Sequence, residues 1–254
     1  MSETLPSIQA ATFAIGDFRL FALSDGEVSL DPVIFAHPEA VIEAKAQAAR
    51  AGSETLQTAV NAYLLKSRER TILIDAGDNR GFGTETGQLI AAMKQVGIGP
   101  EDIDIVLLTH MHVDHVGHLA DAAGSAVFRN AQLLVPDREW SFWWDDGTMS
   151  RAPAARLSAF KTARNATQPY KSCLHRFSDN EKLFSGVTAV SLPGHSPGHT
   201  GYLIDSNGDS VFIFGDVVHG TNFQFLHPEW GVAFDQDPEL AASTRKRAFE
   251  MAAS

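Results

Sequence analysis

The chain opens with apolar and polar positions alternating at a period near two. Phe13-Ala14-Ile15 and Phe18-Arg19-Leu20-Phe21-Ala22-Leu23, joined through Gly16-Asp17, predict a β-hairpin. Residues 27–58 show little strand pattern. Within them Ala40 to Ala51 is Ala-rich and predicts a helix stopped by Gly52, part of an arm that could wall a pocket or pack on a second subunit. Val60 to Leu65 and Thr71 to Ile74 predict two strands around the turn Ser67-Arg68-Glu69-Arg70. Leu89 to Val96 reads as an amphipathic helix ended by Gly97, and Pro100-Glu101-Asp102 leads into the apolar run Ile103 to Leu108, a buried strand. Further on, Leu133-Leu134-Val135 predicts a strand, and Asp137 to Phe160 a largely helical excursion. Val187 to Leu192 predicts another strand, Thr200 to Asp205 and Ser210 to Phe214 a hairpin around Asn207-Gly208, and Pro238 to Ala253 a closing helix. Strands mixed with helices, without repeats or a linker, predict one α/β domain over residues 1–254.

Composition narrows the partners. A chain of 254 residues can bury a full core. A net charge of −11 argues against a nucleic-acid partner, which requires clustered Lys and Arg. The single cysteine, Cys173, excludes an intramolecular disulfide and a Cys-rich zinc site. No run approaches the roughly 18 apolar residues of a membrane span. The first thirty residues lack a basic segment followed by an apolar core, so no secretory signal is visible and a cytoplasmic location is expected.

The chemistry concentrates where the strand at Ile103 to Leu108 ends. His110, His112, Asp114 and His115 fall within six residues there, at the carboxyl end of a strand, where open α/β sheets place their ligands. One histidine would be an ordinary core or surface residue, but three with an Asp at one strand mouth are hard to explain as packing. Imidazole and carboxylate without thiolate suit zinc and other first-row metals. His110 and His112 share a face because alternate residues of an extended chain do, and Asp114 and His115 would open the following helix. Elsewhere, Trp140, Phe142, Trp143 and Trp144 crowd one stretch. At 100° per residue they cannot share one helix face, so some leave the core, either to pack the excursion or to wall a hydrophobic pocket.

His-x-His-x-Asp-His is the signature of the metallo-β-lactamase superfamily, which the chain resembles from about Asp17 to its end, nearest to the lactonase and phosphotriesterase branch that contains methyl parathion hydrolase. Supporting stretches are Gly16-Asp17-Phe18-Arg19 with Leu23-Ser24-Asp25-Gly26, Asn61-Ala62-Tyr63-Leu64-Leu65, Ile74-Asp75-Ala76-Gly77, Pro193-Gly194-His195-Ser196-Pro197-Gly198-His199-Thr200 and Gly215-Asp216-Val217-Val218-His219.

The resemblance implies a four-layer αβ/βα sandwich. It implies His110, His112 and His195 at one metal, Asp114 and His115 at a second, and Asp216 bridging both. Asp75 would orient ligands and His199 support its loop, while His118 would bond locally. Two divalent ions are expected, zinc first, with manganese, cobalt or iron as alternatives. A metal-bridging hydroxide would attack a small, hydrophobic, uncharged ester (a lactone, carboxyl ester or phosphotriester), with Asp114 passing a proton to the leaving group. Two departures stand out. Lactonases of the acyl-homoserine type carry a Tyr three residues after the bridging Asp, where this chain has His219, a candidate donor or proton carrier. The family's last metal-binding histidine lies beyond the closing helix, and the sequence stops at Ser254, so the sandwich is expected without its last C-terminal strand or strands. Thioester hydrolysis of the glyoxalase type, a mononuclear iron dioxygenase, and a non-catalytic metal-binding protein with a degraded second site are the alternatives. A homodimer is left open.

Overall fold

In the computed structural model, which describes residues 10–254, the strands form two sheets whose apolar faces meet. The first sheet has seven strands in chain order: β1 (Ala11–Ile15), β2 (Phe18–Leu30), β3 (Leu56–Lys66), β4 (Thr71–Ile74), β5 (Ile105–Leu107), β6 (Gln132–Pro136) and β7 (Leu174–Phe177). β1 to β4 are antiparallel, and β4 to β7 run parallel, so the carboxyl ends of β4 and β5 emerge side by side. The second sheet is antiparallel, in the order β11-β10-β9-β8, from β8 (Lys182–Phe184), β9 (Val187–Ser191), β10 (Thr200–Ser206) and β11 (Asp209–Ile213). Asn207 and Gly208 both take positive φ in the β10–β11 turn, as a two-residue hairpin loop requires.

Layering follows from the period of two. Leu65, Ile72, Ile74, Ile105 and Leu107 of the first sheet pack on Val187, Ala189, Tyr202 and Ile204 of the second. The alternate residues Leu64, Leu73, Val106 and Leu133 face helices instead. In chain order the helices are α1 (Pro38–Arg50), α2 (Leu89–Gln95), α3 (Val113–Val116), α4 (Asp137–Trp144), α5 (Asp146–Arg151), α6 (Leu157–Thr167), α7 (Thr221–Gln224) and α8 (Pro238–Ala252). α2, α4 and α6 cover the first sheet, and Ala248 of α8 packs on Val190 and Leu192 of the second. The layers therefore run helix, sheet, sheet, helix, the expected sandwich.

Three expectations change. The pairing of β2 with β3 continues into the stretch read as patternless, to Leu30 opposite Leu56. A bulge at Asp25 is the cause: burial falls on Leu23 and Asp25 before it, but on Val28 after it. β7 and β8 are additional strands. β7 lies at a sheet edge and exposes its middle residues, and β8 is three residues long, so neither alternates recognisably. The excursion is largely helical, as expected, but divided into three helices. Its aromatics divide: Trp140 and Trp144 stack at 5.0 Å, while Phe142 and Trp143 line the central cavity. The arm walls the pocket, one of its two expected roles, and its helix packs within the chain. α1 packs on Phe223, Trp230 and Val232, and Val28, Leu30, Thr58 and Ala59 wall the cavity.

Asp25 ties the bulge to the loops around the sheet. Fully buried, it accepts from the backbone N–H of Asp78 (2.7 Å), Gly87 (3.2 Å) and Leu89 (2.7 Å) and from His118 Nε2 (2.9 Å). Burial alone pushes its carboxyl up, but His118 and these amides together hold it below the usual aspartate value. A depressed folded pKa stabilises the fold above the unfolded pKa and is lost as pH falls through the folded one. Asp25→Asn should cost about 2–4 kcal/mol at pH 7. In urea unfolding followed by circular dichroism, the gap to the parent should narrow below about pH 4. A gap that is constant across pH would contradict this.

Candidate metal centre

β5 ends at Leu107, and an irregular segment that bends at Thr109 leads to His112, the extended residue that caps α3. From the other sheet, β9 ends at Ser191 and a tight loop carries His195 inward. At Gly194, with φ +131°, a Cβ would lie 2.3 Å from Ala241 N, so the loop can rest on α8 only because that residue is glycine. The three imidazoles converge. His112 Nδ1 lies 3.0 Å from His110 Nε2 and 2.9 Å from His195 Nε2. His115 Nε2 lies 3.2 Å from Asp216 Oδ1 and 3.5 Å from Asp114 Oδ2. Asp216 Oδ2 lies 3.8 Å from His110 Nε2, 3.5 Å from His195 Nε2 and 3.3 Å from His219 Nε2. All the predicted metal-binding residues are thus brought together, with Asp216 between the two groups.

The outer nitrogens set the direction of the inner lone pairs. Asp75, at the end of β4 with φ +60°, accepts from Thr109 N (2.8 Å), Thr109 Oγ1 (2.7 Å) and His115 Nδ1 (2.8 Å). Thr109 Oγ1, its proton given to Asp75, accepts from His110 Nδ1 at 3.0 Å. His195 Nδ1 donates to Asp235 Oδ1 at 3.0 Å. This network assigns the Nδ1 protons of His110, His115 and His195, leaving the Nε2 lone pairs of His110 and His195 directed inward, while His115 Nε2 faces the carboxylates of Asp114 and Asp216. His199 sits behind, its Nε2 accepting from Asp216 N at 3.1 Å. His118 bonds to Asp25 instead. Two buried carboxylates missed in the sequence complete the frame. Asp235 also accepts from Val232 N and lies 3.7 Å from the buried Arg245. Glu139 accepts from both metal-site loops. Neither belongs to a motif, since one acid in a loop or helix carries no spacing signal.

The electrostatics suit cations. Burial holds His110, His195 and His199 well below the usual histidine value and brings His112 down to about 4, so these rings are neutral at pH 7. A neutral His112 can donate through Nδ1 to only one of the two Nε2 lone pairs it faces, so the other contact at about 3 Å repels unless a cation stands among them. Burial would lower His115 too, but Asp216, Asp114 and Asp75 raise it well above the usual value. For Asp216 the penalty of burial is outweighed by His115 and His219, and its carboxyl falls well below the usual range. The donor types, their convergence and this acidic surplus fit divalent metal.

A cavity of about 820 Å³ opens onto these groups, walled by Phe142, Trp143, Phe160, Phe212, Phe214 and Phe234. His219 also lines it. Its main-chain N–H donates to Gln224 Oε1 at 2.7 Å, and its buried Nδ1 has no partner among the described residues.

The family model of the metallo-beta-lactamase superfamily matches residues 56–254. N-acyl homoserine lactonase AiiA of Bacillus thuringiensis subsp. kurstaki is 28% identical over 210 residues, covering 74% of each chain. Among solved structures, the hydrolase AbOPH of the beta lactamase superfamily superposes with a TM-score of 0.86 at 31% identity, over 94% of this chain and 84% of that one. AidC, a dizinc quorum-quenching lactonase in complex with the product N-hexnoyl-L-homoserine, also gives 0.86, at 26% identity, over 95% and 86%.

If Asp235 aims His195, Asp235→Ala should weaken zinc binding by about ten- to hundredfold, and Asp235→Asn, which keeps an acceptor, by less. Equilibrium dialysis against graded chelator measures both. Equal affinity in all three proteins would show that the tether has no such effect.

Proposed function

The chain belongs to the metallo-beta-lactamase superfamily of metal-dependent hydrolases, and from that premise we propose a dinuclear enzyme that hydrolyses small, hydrophobic, uncharged esters, lactones foremost. The observation that carries this reading is Asp216, a carboxylate within 4 Å of donor nitrogens from both histidine groups. His110, His112 and His195 would hold one ion, and Asp114 and His115 the other. Two divalent ions, zinc first, would supply Lewis acidity and a water ionised near neutral pH. The likeness to the lactonases AidC and AiiA supports lactones as the first substrates to try, with carboxyl esters and phosphotriesters beside them on the chemistry of the site.

The chain's own groups position and deprotonate. Asp114 faces the cavity. Burial would raise its carboxyl, but His115 more than offsets this and holds it ionised. It can therefore take the proton of the attacking water and return it to the leaving oxygen. His219, which lines the same cavity with its Nε2 3.3 Å from Asp216 Oδ2, would orient that carboxylate beside the substrate's polar end. The aromatic wall binds the apolar end and excludes water, which strengthens each polar contact inside.

The deciding experiment is metal content with turnover. Protein prepared without chelators should carry two equivalents of divalent metal, cleave a panel of lactones, aryl esters and phosphotriesters, lose that activity to chelator and regain it with zinc. A metal-loaded protein inert on the whole panel would overturn the proposal. Acyl chain length probes the wall: each methylene buried contributes about 0.8 kcal/mol, roughly a fourfold rise in kcat/KM. Phe142→Ala should flatten that series for longer chains while leaving the shortest substrate nearly unchanged. A series equally steep in both proteins would place the acyl group elsewhere.

A further inference from the structure

The donor atoms converge only if two loops 80 residues apart in the chain, 110–115 and 195–199, are held at a fixed separation. Between them stands Glu139, on α4 and fully buried. Its Oε1 accepts from Met111 N at 3.0 Å and from Trp143 Nε1 at 2.6 Å. Its Oε2 accepts from Ser196 Oγ at 2.7 Å and from Gly198 N at 2.9 Å. Met111 lies between His110 and His112, Ser196 follows His195, and Gly198 precedes His199. One carboxylate thus grips both loops, with all of its roughly four lone-pair sites engaged.

The second loop also lies directly on the helix. A Cβ at Gly198 would fall 2.1 Å from Glu139 N and 2.6 Å from its Cα, so only glycine permits the approach. The second glycine of the Pro-Gly-His-Ser-Pro-Gly-His stretch is explained by this contact rather than by a positive φ. Trp143, held by the same carboxylate, stands edge-on to His112 with ring centroids 5.7 Å apart and an interplanar angle of 83°, and it lines the cavity.

We propose that Glu139 is the positioning residue that sets the spacing of the two histidine loops, and that through Trp143 it links the metal site to the wall of the substrate cavity. The proposal rests on the reading of His110, His112 and His195 as metal-binding residues. Charge is needed as well as reach. In Glu139→Gln the amide NH2 must face two donors, whichever way it turns. Toward Met111 and Trp143 both donors are fixed. Toward Ser196 and Gly198 the hydroxyl can rotate to accept, but the Gly198 N–H cannot. The variant keeps its volume and most of its bonds but loses at least the Gly198 anchor, which loosens the second loop against the first.

The test is competition between protein and a chromogenic chelator for zinc, alongside the visible spectrum of the cobalt(II)-loaded protein, for the parent, Glu139→Gln and Ser196→Ala. Glu139→Gln should bind zinc about ten- to hundredfold more weakly and show a shifted cobalt band. Ser196→Ala, which removes one of the four bonds, should change both in the same direction by less. Zinc affinity within about twofold of the parent and an unchanged cobalt band in both variants would overturn the proposal. If Glu139→Gln does not fold, Ser196→Ala decides alone by the same two readouts. A parent that binds no metal would instead overturn the metal reading.

Discussion

The structure depends on a demand that no single element can meet: imidazole lone pairs from two sheets must point at one place while every outer nitrogen stays satisfied. A free histidine side chain would rotate to pair its lone pair with water or a neighbouring donor. Here Asp75 and Asp235 remove that freedom by accepting the Nδ1 protons of His115 and His195, and Asp75 acts on His110 through Thr109. Each carboxylate is buried and would be costly alone. Each is tolerated because it accepts several short bonds, so the cost of burying acid is offset by the order it imposes on the rings.

This explains why the centre sits where the sheet changes character. β4 and β5 are the first parallel pair after three antiparallel ones, so their carboxyl ends lie adjacent and open to one side. Asp75 leaves one and Thr109 the other, close enough for a direct bond. An antiparallel pair would send the two residues to opposite ends of the sheet. The second sheet then needs only one strand end and one loop, at His195, and one short turn, at Asp216, to close the site from above.

Much of this was legible beforehand because motifs record local geometry. The x-His-x-His spacing reports an extended strand end, Asn207-Gly208 reports a hairpin, and the resemblance ordered Asp75, His195 and Asp216 around the cluster. What was not legible depends on contacts between segments distant in the chain. Asp235 and Glu139 are single acids whose contacts with the histidine loops span 40 residues, and 28 or more, of chain. The bulge at Asp25 erased the alternation of β2 by moving it one residue out of phase. β7 is an edge strand held by main-chain bonds to β6, with little side-chain burial to leave a pattern.

The cavity and the metal-binding residues impose opposite requirements, and their meeting limits the substrate. The wall is aromatic, while the floor carries ionised Asp114 and Asp216. With two divalent ions bound, their charge would outweigh those two carboxylates, so the preference for an uncharged substrate rests on the aromatic wall. Such a wall would favour an uncharged ester in the ground state. It gains negative charge only as its carbonyl or phosphoryl oxygen is attacked, when bound cations would stabilise it most. On the proposed reading, the same arrangement would bind a neutral substrate weakly and its charged transition state strongly, the difference on which catalysis depends.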